Sequence, residues 1–353
     1  MRGMRTIEHL QELLERTRRE FERKYCLHPE APHACSKNII SAHSVQKALL
    51  KKFISAKGHV VQIKVSAHVE PVGVLAKPED VGINNATTFS GFCGKHDTEL
   101  FRPLECAGFS FTRRQIALLG YRAICRELYL KEASIAAADS AWSYCSVNPE
   151  IHGFPEKSER HHIMQIARRN ARLNLTNAKN CYAEMLSNDS DLRYYAIEFS
   201  EPPVYFNSVS FLPEWDFEGK QLQDLSFIAD YRPICFSAWA AGDRAVAVFC
   251  WHDSANHICV PFIDSLRRSR SDRLADRILS MAFEVSDNVV FRSDWWEALC
   301  ERDRQLIVNR AFSGGVEIER RKDCLFDDGL QAIASTVNAE YVGYAPAVLA
   351  GRL

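Results

Sequence analysis

Long apolar runs are missing from this chain. The longest, such as Ala245 to Trp251, fall well short of the ~18 residues that span a bilayer, so no membrane-crossing helix is expected. The opening Met1-Arg2-Gly3-Met4-Arg5 leads into charged amphipathic sequence instead of the ~7–15-residue apolar core of a secretory signal, which points to the cytoplasm. There is no Gly-rich phosphate loop and no dinucleotide fingerprint, which argues against nucleotide-driven chemistry. Internal repeats and low-complexity tracts are also missing. Residues 1–60 contain no Asp.

What is present describes a folded protein. At 353 residues the chain exceeds what one core usually organises, so two or three domains are expected. Apolar content of 46% and charged content of 25% are ordinary for globular chains. Twelve cysteines without an export signal imply reduced thiols, mostly buried and some ligating metal, in place of a disulfide scaffold. The net charge of −1 hides an asymmetry, because residues 1–60 hold 12 Lys+Arg against 6 Glu, +6 there and −7 elsewhere. Such a basic segment suits a phosphate backbone, and it equally suits two solvated helix faces.

Ile7, Leu10, Leu14 and Phe21 recur near helical spacing, so residues 1–25 read as an amphipathic helix. Cys26 to Cys35, with Pro29 and Pro32, reads as a loop. Ile39-Ile40 starts a short strand, and Ser44 to Phe53 reads as helical turns that Gly58 would end as a C-cap. Val60, Val61, Ile63 and Val65 mark another strand, and residues 66–88 read as a loop with Pro71, Gly73, Pro78 and Gly82. Residues 106–188 read as helical, opening on Thr112-x-x-Gln115, which has the form of a capping box, with a second long helix over 159–186 that carries His161. Strand texture follows in 189–353, so a boundary is expected near Asn188. The expected fold class is α+β, in three parts after the first helix: 26–105, 106–188 and 189–353.

The informative stretch runs from Cys26-x8-Cys35 through Ser41-Ala42-His43-Ser44 to Phe92-Cys93-Gly94-Lys95-His96-Asp97. Two ligand pairs from separate loops make a tetrahedral zinc site when the chain folds back between them. Cys26, Cys35, Cys93 and His96 are the expected ligands. His28 and His33 are alternatives to Cys35, which ranks first because thiolates are the commoner donors in structural sites. Thr98 to Leu104 can continue as a helix from the second pair.

A Cys-bearing knuckle, a strand ending in His, a second strand and a Phe-Cys-x-x-His-Asp helix start resemble the HNH, or ββα-metal, nucleases with their treble-clef zinc site. The pattern is also similar to a related group of bacterial proteins sharing AHS-x-Q … GHV … TF-x-GFC-x-x-HD. The resemblance covers residues 26–105 of the 353. It implies metal-dependent cleavage of nucleic acid, with DNA the expected partner and defence against foreign DNA a possible setting. In that family the His closing the first strand activates water, a position matched by His43, and a residue beside the last zinc ligand holds the catalytic divalent ion, a position matched by Asp97. The family's central Asn has no clear counterpart, and Asn85 or Thr88 would have to serve. Phosphodiester hydrolysis needs a base that titrates near neutrality and a hard cation, Mg²⁺ or Mn²⁺, on oxygen ligands. The alternative is a non-catalytic zinc-stabilised module that recruits a protein or nucleic-acid partner, with the C-terminal region as a protein-binding surface.

Three further features are read as structural. Cys250-x-His252-Asp253-x3-His257-x-Cys259 reads as a strand, a turn at 253–256 and a returning strand at 258–262, against a second metal site or Cys/His nucleophile pair. Arg267, Arg268, Arg270, Arg273 and Arg277 alternate with Asp264, Asp272 and Asp276, as on a solvated helix face. Trp295-Trp296 reads as core.

Overall fold

A computed structural model describes residues 2–69, 72–106, 108–148, 159–225, 230–316 and 321–344. Residues 70 and 71 of the expected 66–88 loop, with Pro71, and the side chain of His161 lie outside the described set.

The elements follow in chain order. They begin with α1 (Arg2–Phe21), β1 (Ile39–His43), α2 (Lys47–Leu49, running into a wide turn over Leu50–Ile54), β2 (His59–Val69), β3 (Val72–Gly82), β4 (Thr88–Cys93) and α3 (Gly94–Glu105). The long helices α4 (Arg113–Val147) and α5 (Glu159–Met185) come next, then β5 (Leu192–Phe199), β6 (Tyr205–Phe211), β7 (Ile234–Ala241) and β8 (Arg244–His252). The chain continues through α6 (Asn256–Arg267), α7 (Leu274–Val285), β9 (Val290–Phe291), α8 (Ser293–Ala298), α9 (Glu301–Val316) and β10 (Val337–Val342).

Two antiparallel sheets result. β1 and β4 form a two-stranded ladder, and the other eight strands run in the order β10-β5-β8-β7-β6-β9-β2-β3. The short β9 bridges β6 to β2, with Phe291 opposite both Tyr205 and Val61. Strands from residues 26–105 and from 189–353 therefore share one sheet.

Alternation along the strands divides two cores. On β8, Ala247, Phe249 and Trp251 join α6 and α7 in one cluster, while Val246, Val248 and Cys250 join α4 and α5 in the other. α4 is buried almost all round from Gln115 to Arg126. It lies between the sheet and the β1–β4–α3 unit, which explains a helix apolar on every side. Thr112 caps α4 by accepting from the Gln115 N–H at 3.3 Å. The Gln115 amide turns away from that cap, donating to the carbonyls of Gly108 and Pro103, and so ties α4 to the end of α3.

Three local expectations are corrected. Most of 66–88 is the β2–β3 hairpin; β3 is a sheet edge, where Pro78, opposite Ile63, has no outward ladder bond to lose. Residues 258–262 belong to α6, because Asn256 begins a helix whose Ile258, Cys259, Phe262 and Ile263 all face the core. Gly58 does not cap the preceding helical turns, which end at Ile54; with φ +83 it makes the turn between Ala56 and His59 that starts β2.

Candidate metal centre and the polar cluster beside it

Local backbone pairing draws the two ligand pairs together. Tyr25 N–H donates to Ser90 O at 3.3 Å and Leu27 N–H to Gly91 O at 2.9 Å, laying Cys26 alongside β4. At the other edge Cys93 faces Ile39, and Gly94 N–H donates to Asn38 O at 3.0 Å. The close approach needs Gly91, where a Cβ would lie 2.4 Å from the Phe89 ring. Tyr121 of α4 buttresses the loop, donating its hydroxyl to Leu27 O at 2.8 Å.

As a result the ligand atoms of Cys26, Cys35, Cys93 and His96 all lie within 4.8 Å of one another. The sulfurs of Cys26 and Cys35 are each 3.5 Å from His96 Nδ1, and Cys93 N–H points at Cys26 Sγ, also at 3.5 Å. These four residues can bind a metal ion. Without one, burial and the neighbouring thiols push Cys35 up to about 11. Burial also works against ionising Cys93, but hydrogen bonds from the backbone of His96 and from Ser36 outweigh it and bring that thiol down to about 7. Thiols packed this closely resist sharing negative charge, and a bound cation removes the conflict. His28 stands outside the four-residue cluster: its ring stacks on His96 and its Nδ1 faces the Glu30 N–H, and with Glu30 and His96 it makes a second, more exposed grouping. His33 is exposed and belongs to no such grouping among the described residues.

His43 closes β1 directly opposite Thr88. Its Nε2 lies 2.8 Å from the carbonyl of Ile83. A carbonyl only accepts, so Nε2 carries the proton and Nδ1 of the neutral ring keeps its lone pair. Burial holds His43 below its ordinary value, against the opposing effect of the Ile83 carbonyl and with help from the positive charge of Lys47 and Arg122. Neither Asn85 nor Thr88 orients this imidazole; the Thr88 hydroxyl instead donates to Asn85 O at 2.9 Å.

Asp97 sits in the first turn of α3, and its Oδ1 is buried without a hydrogen-bond partner. Burial raises its carboxyl; Arg122 opposes that rise and Glu105 adds to it. Arg122, only 1% exposed, projects from α4 with its guanidinium 3.8 Å from the Phe101 ring centre and 3.1 Å from Glu105. The Arg122–Glu105 pair acts electrostatically on both His43 and Asp97. Sequence reading missed it. The legible signal was a lone charge inside the apolar run Ile116 to Ile124, which a buried helix admits only with a partner.

The second Cys/His cluster does not converge. Cys250 Sγ faces Ile116 O at 3.7 Å on the α4 side of the sheet, while Cys259 packs in the other core. His252 uses Nδ1 on the N–H and hydroxyl of Ser254, and His257 is exposed. The arginines after α6 are tied to Glu340, Glu218, Asp272, Asp276 and Asp327. Trp295 and Trp296 pack on Phe291. Among the described residues no helix is long and apolar enough to cross a membrane. No family model, curated protein or solved structure matches this chain.

Proposed function

We propose that residues 26–105 form a zinc-held treble clef of HNH type that hydrolyses nucleic-acid phosphodiesters, with His43 as general base and Asp97 as the protein ligand of Mg²⁺ or Mn²⁺. The observation that carries this reading is the order of parts: a His ending β1, an antiparallel β4 opposite it, and a helix opening on Cys93-x2-His96-Asp97 above a four-residue ligand cluster.

Zinc is the ion that suits the cluster. With Zn–S of about 2.3 Å and Zn–N of about 2.0–2.1 Å, a tetrahedral S···N edge is roughly 3.5–3.6 Å, and both sulfur–His96 distances are 3.5 Å. Three thiolates and one imidazole also make a closed structural donor set, so the zinc would hold the fold and leave hydrolysis to other groups.

The chemistry asked of this chain's own side chains is limited. The Nδ1 lone pair of His43 takes a proton from water, the water oxygen bonds to phosphorus, the P–O bond to the leaving sugar breaks, and solvent protonates the departing alkoxide. A divalent ion held by Asp97 would neutralise charge growing on the phosphate oxygens. The unpartnered buried Oδ1 of Asp97 fits such an ion, which commonly takes one or two carboxylates and fills its remaining positions with water and phosphate. Exposed Lys47, whose charge reaches His43, would meet the nucleic-acid backbone in this reading.

The alternative reading is a non-catalytic zinc-stabilised interaction module. It is favoured by Arg122, whose buried positive charge already acts on Asp97 and opposes the rise of its carboxyl. Plasmid DNA and RNA incubated with Mg²⁺ or Mn²⁺ separate the two readings. The nuclease reading expects cleavage that His43→Ala lowers by about 10²–10⁴-fold while zinc content and melting temperature stay unchanged. Cleavage indifferent to His43→Ala, or no cleavage with either ion, overturns it.

A further inference from the structure

Away from His43 and Asp97, neither of which lines it, a cavity of about 590 Å³ opens between β2, α4, β6 and the Ser286–Val289 segment. Its volume falls within the ~300–1,000 Å³ typical of small-molecule sites. Its apolar lining includes Ile63, Leu130, Val209 and Phe283. The opposite chemistry is concentrated in five charged side chains, Lys64, Arg126, Glu127, Lys131 and Asp287.

These charges do not cancel. Arg126, nearly buried, is taken up by both acids, at 2.9 Å from Asp287 and 3.1 Å from Glu127. Lys64 and Lys131 remain, and among the described residues neither makes an ion pair or hydrogen bond with its ammonium group. Burial holds the Lys64 ammonium below its ordinary value, with Asp287 partly offsetting that effect. Three cations against two carboxylates leave the cavity at +1, before any protonation of Glu127. Asp287 is 69% accessible by side-chain surface, so water reaches the polar end.

The cavity is also preformed. Gln62 donates to Asp287 O at 2.6 Å, Ser286 donates to Asn207 at 2.9 Å, and Asn288 donates to Ser44 and to Ser208 O at 2.8 and 2.9 Å. The polar rim is thereby fixed to β2, β6 and the residue after β1. Little ordering cost would remain for a ligand to meet.

We propose that this cavity binds a phosphate monoester of about nucleotide size, with Lys64 and Lys131 engaging the phosphate and the apolar lining of Ile63, Val209 and Phe283 receiving the organic body. A phosphate monoester carries roughly −1.5 to −2 at neutral pH, which matches two unpaired ammonium groups better than a single carboxylate does. The site is independent of the nuclease reading, since binding requires no turnover.

Calorimetric titration of the full chain with AMP, adenosine and inorganic phosphate tests this. AMP is expected to bind with a Kd tighter than about 1 mM, and both adenosine and inorganic phosphate at least ten-fold more weakly. The double variant Lys64→Met, Lys131→Met is expected to lose at least ten-fold in AMP affinity. Glu127→Gln, which removes a negative charge from the wall, is expected to strengthen binding, a gain that general damage to the fold would not produce. Absence of AMP binding, equal affinity for AMP and adenosine, inorganic phosphate binding as tightly as AMP, or a double variant that binds like the parent overturns the proposal.

Discussion

The imidazole of His28 lies flat against that of His96, ring centres 3.8 Å apart and planes 12° from parallel. His96 Nδ1 faces the sulfurs of Cys26 and Cys35, so His28 packs flat on the ring of a candidate ligand and limits how that ring can turn. His28→Ala should keep one metal per chain while weakening its affinity by about 10-fold, the low end for losing a group that orients a ligand. Competition with a chromophoric chelator measures this; an unchanged affinity would remove His28 from the account.

Removing the buried Arg122 guanidinium should be costly. Its partner Glu105 is 34% exposed and water screens the pair, so the loss falls below that of a fully buried pair, at about 1–3 kcal/mol, with Glu105 and the unpartnered Asp97 oxygen both losing a cation. Urea denaturation of Arg122→Ala should show a loss of that order. Asp97→Asn in the same background should recover part of it, because the uncompensated carboxylate is then gone.

Gly120 lets α4 approach α5 and β8 closely. A Cβ there would lie 2.3 Å from Tyr182 of α5 and 2.8 Å from the Cys250 sulfur of β8. The Tyr182 hydroxyl is anchored on Cys250 O at 2.8 Å, so neither neighbour can yield freely. Gly120→Ala should destabilise by about 1–3 kcal/mol, read as a lower urea midpoint at unchanged m-value.

Burial raises Glu127 from 4.5 to about 7, with Arg126 opposing it. An acid whose folded value is raised binds more protons folded than unfolded between those limits, so its contribution is complete below pH 4.5 and is lost as pH climbs to 7. At about 1.4 kcal/mol per unit the loss is on the order of 3 kcal/mol. Asp287, held below its ordinary value of 3.8 by Arg126, acts at lower pH and does not overlap that window. Denaturation at pH 5, 6, 7 and 8 should show the stability of the parent falling relative to that of Glu127→Gln as pH rises, since the lowered imidazoles of His28 and His43 act alike in both proteins.

The four residues of the Cys/His cluster were legible in part from spacing. Cys93 and His96 are three residues apart at a helix start, and Cys26 reaches them through short-range pairing along β4. The capping Thr112 was legible for the same reason. Non-local partners were not. β2 enters the large sheet only through Val290 and Phe291, a two-residue strand with no periodicity of its own. Residues 258–262 are a short apolar run that local sequence fits to a strand as well as to a helix, and tertiary packing makes them part of α6. Ile83 orients His43 through a backbone carbonyl, and side-chain identity carries no trace of that. The cavity charges are likewise gathered from three separate segments, β2, α4 and the α7–β9 connection that holds Asp287.

The central claim is that a single tetrahedral zinc joins the Cys26–Cys35 loop to the start of α3. Elemental analysis of the purified full chain, paired with Cys93→Ser, tests it most directly. The account predicts one zinc per chain in the parent and close to none in the variant, with a lowered melting temperature. A metal-free parent of full stability, or a Cys93→Ser protein that retains its zinc, would contradict it.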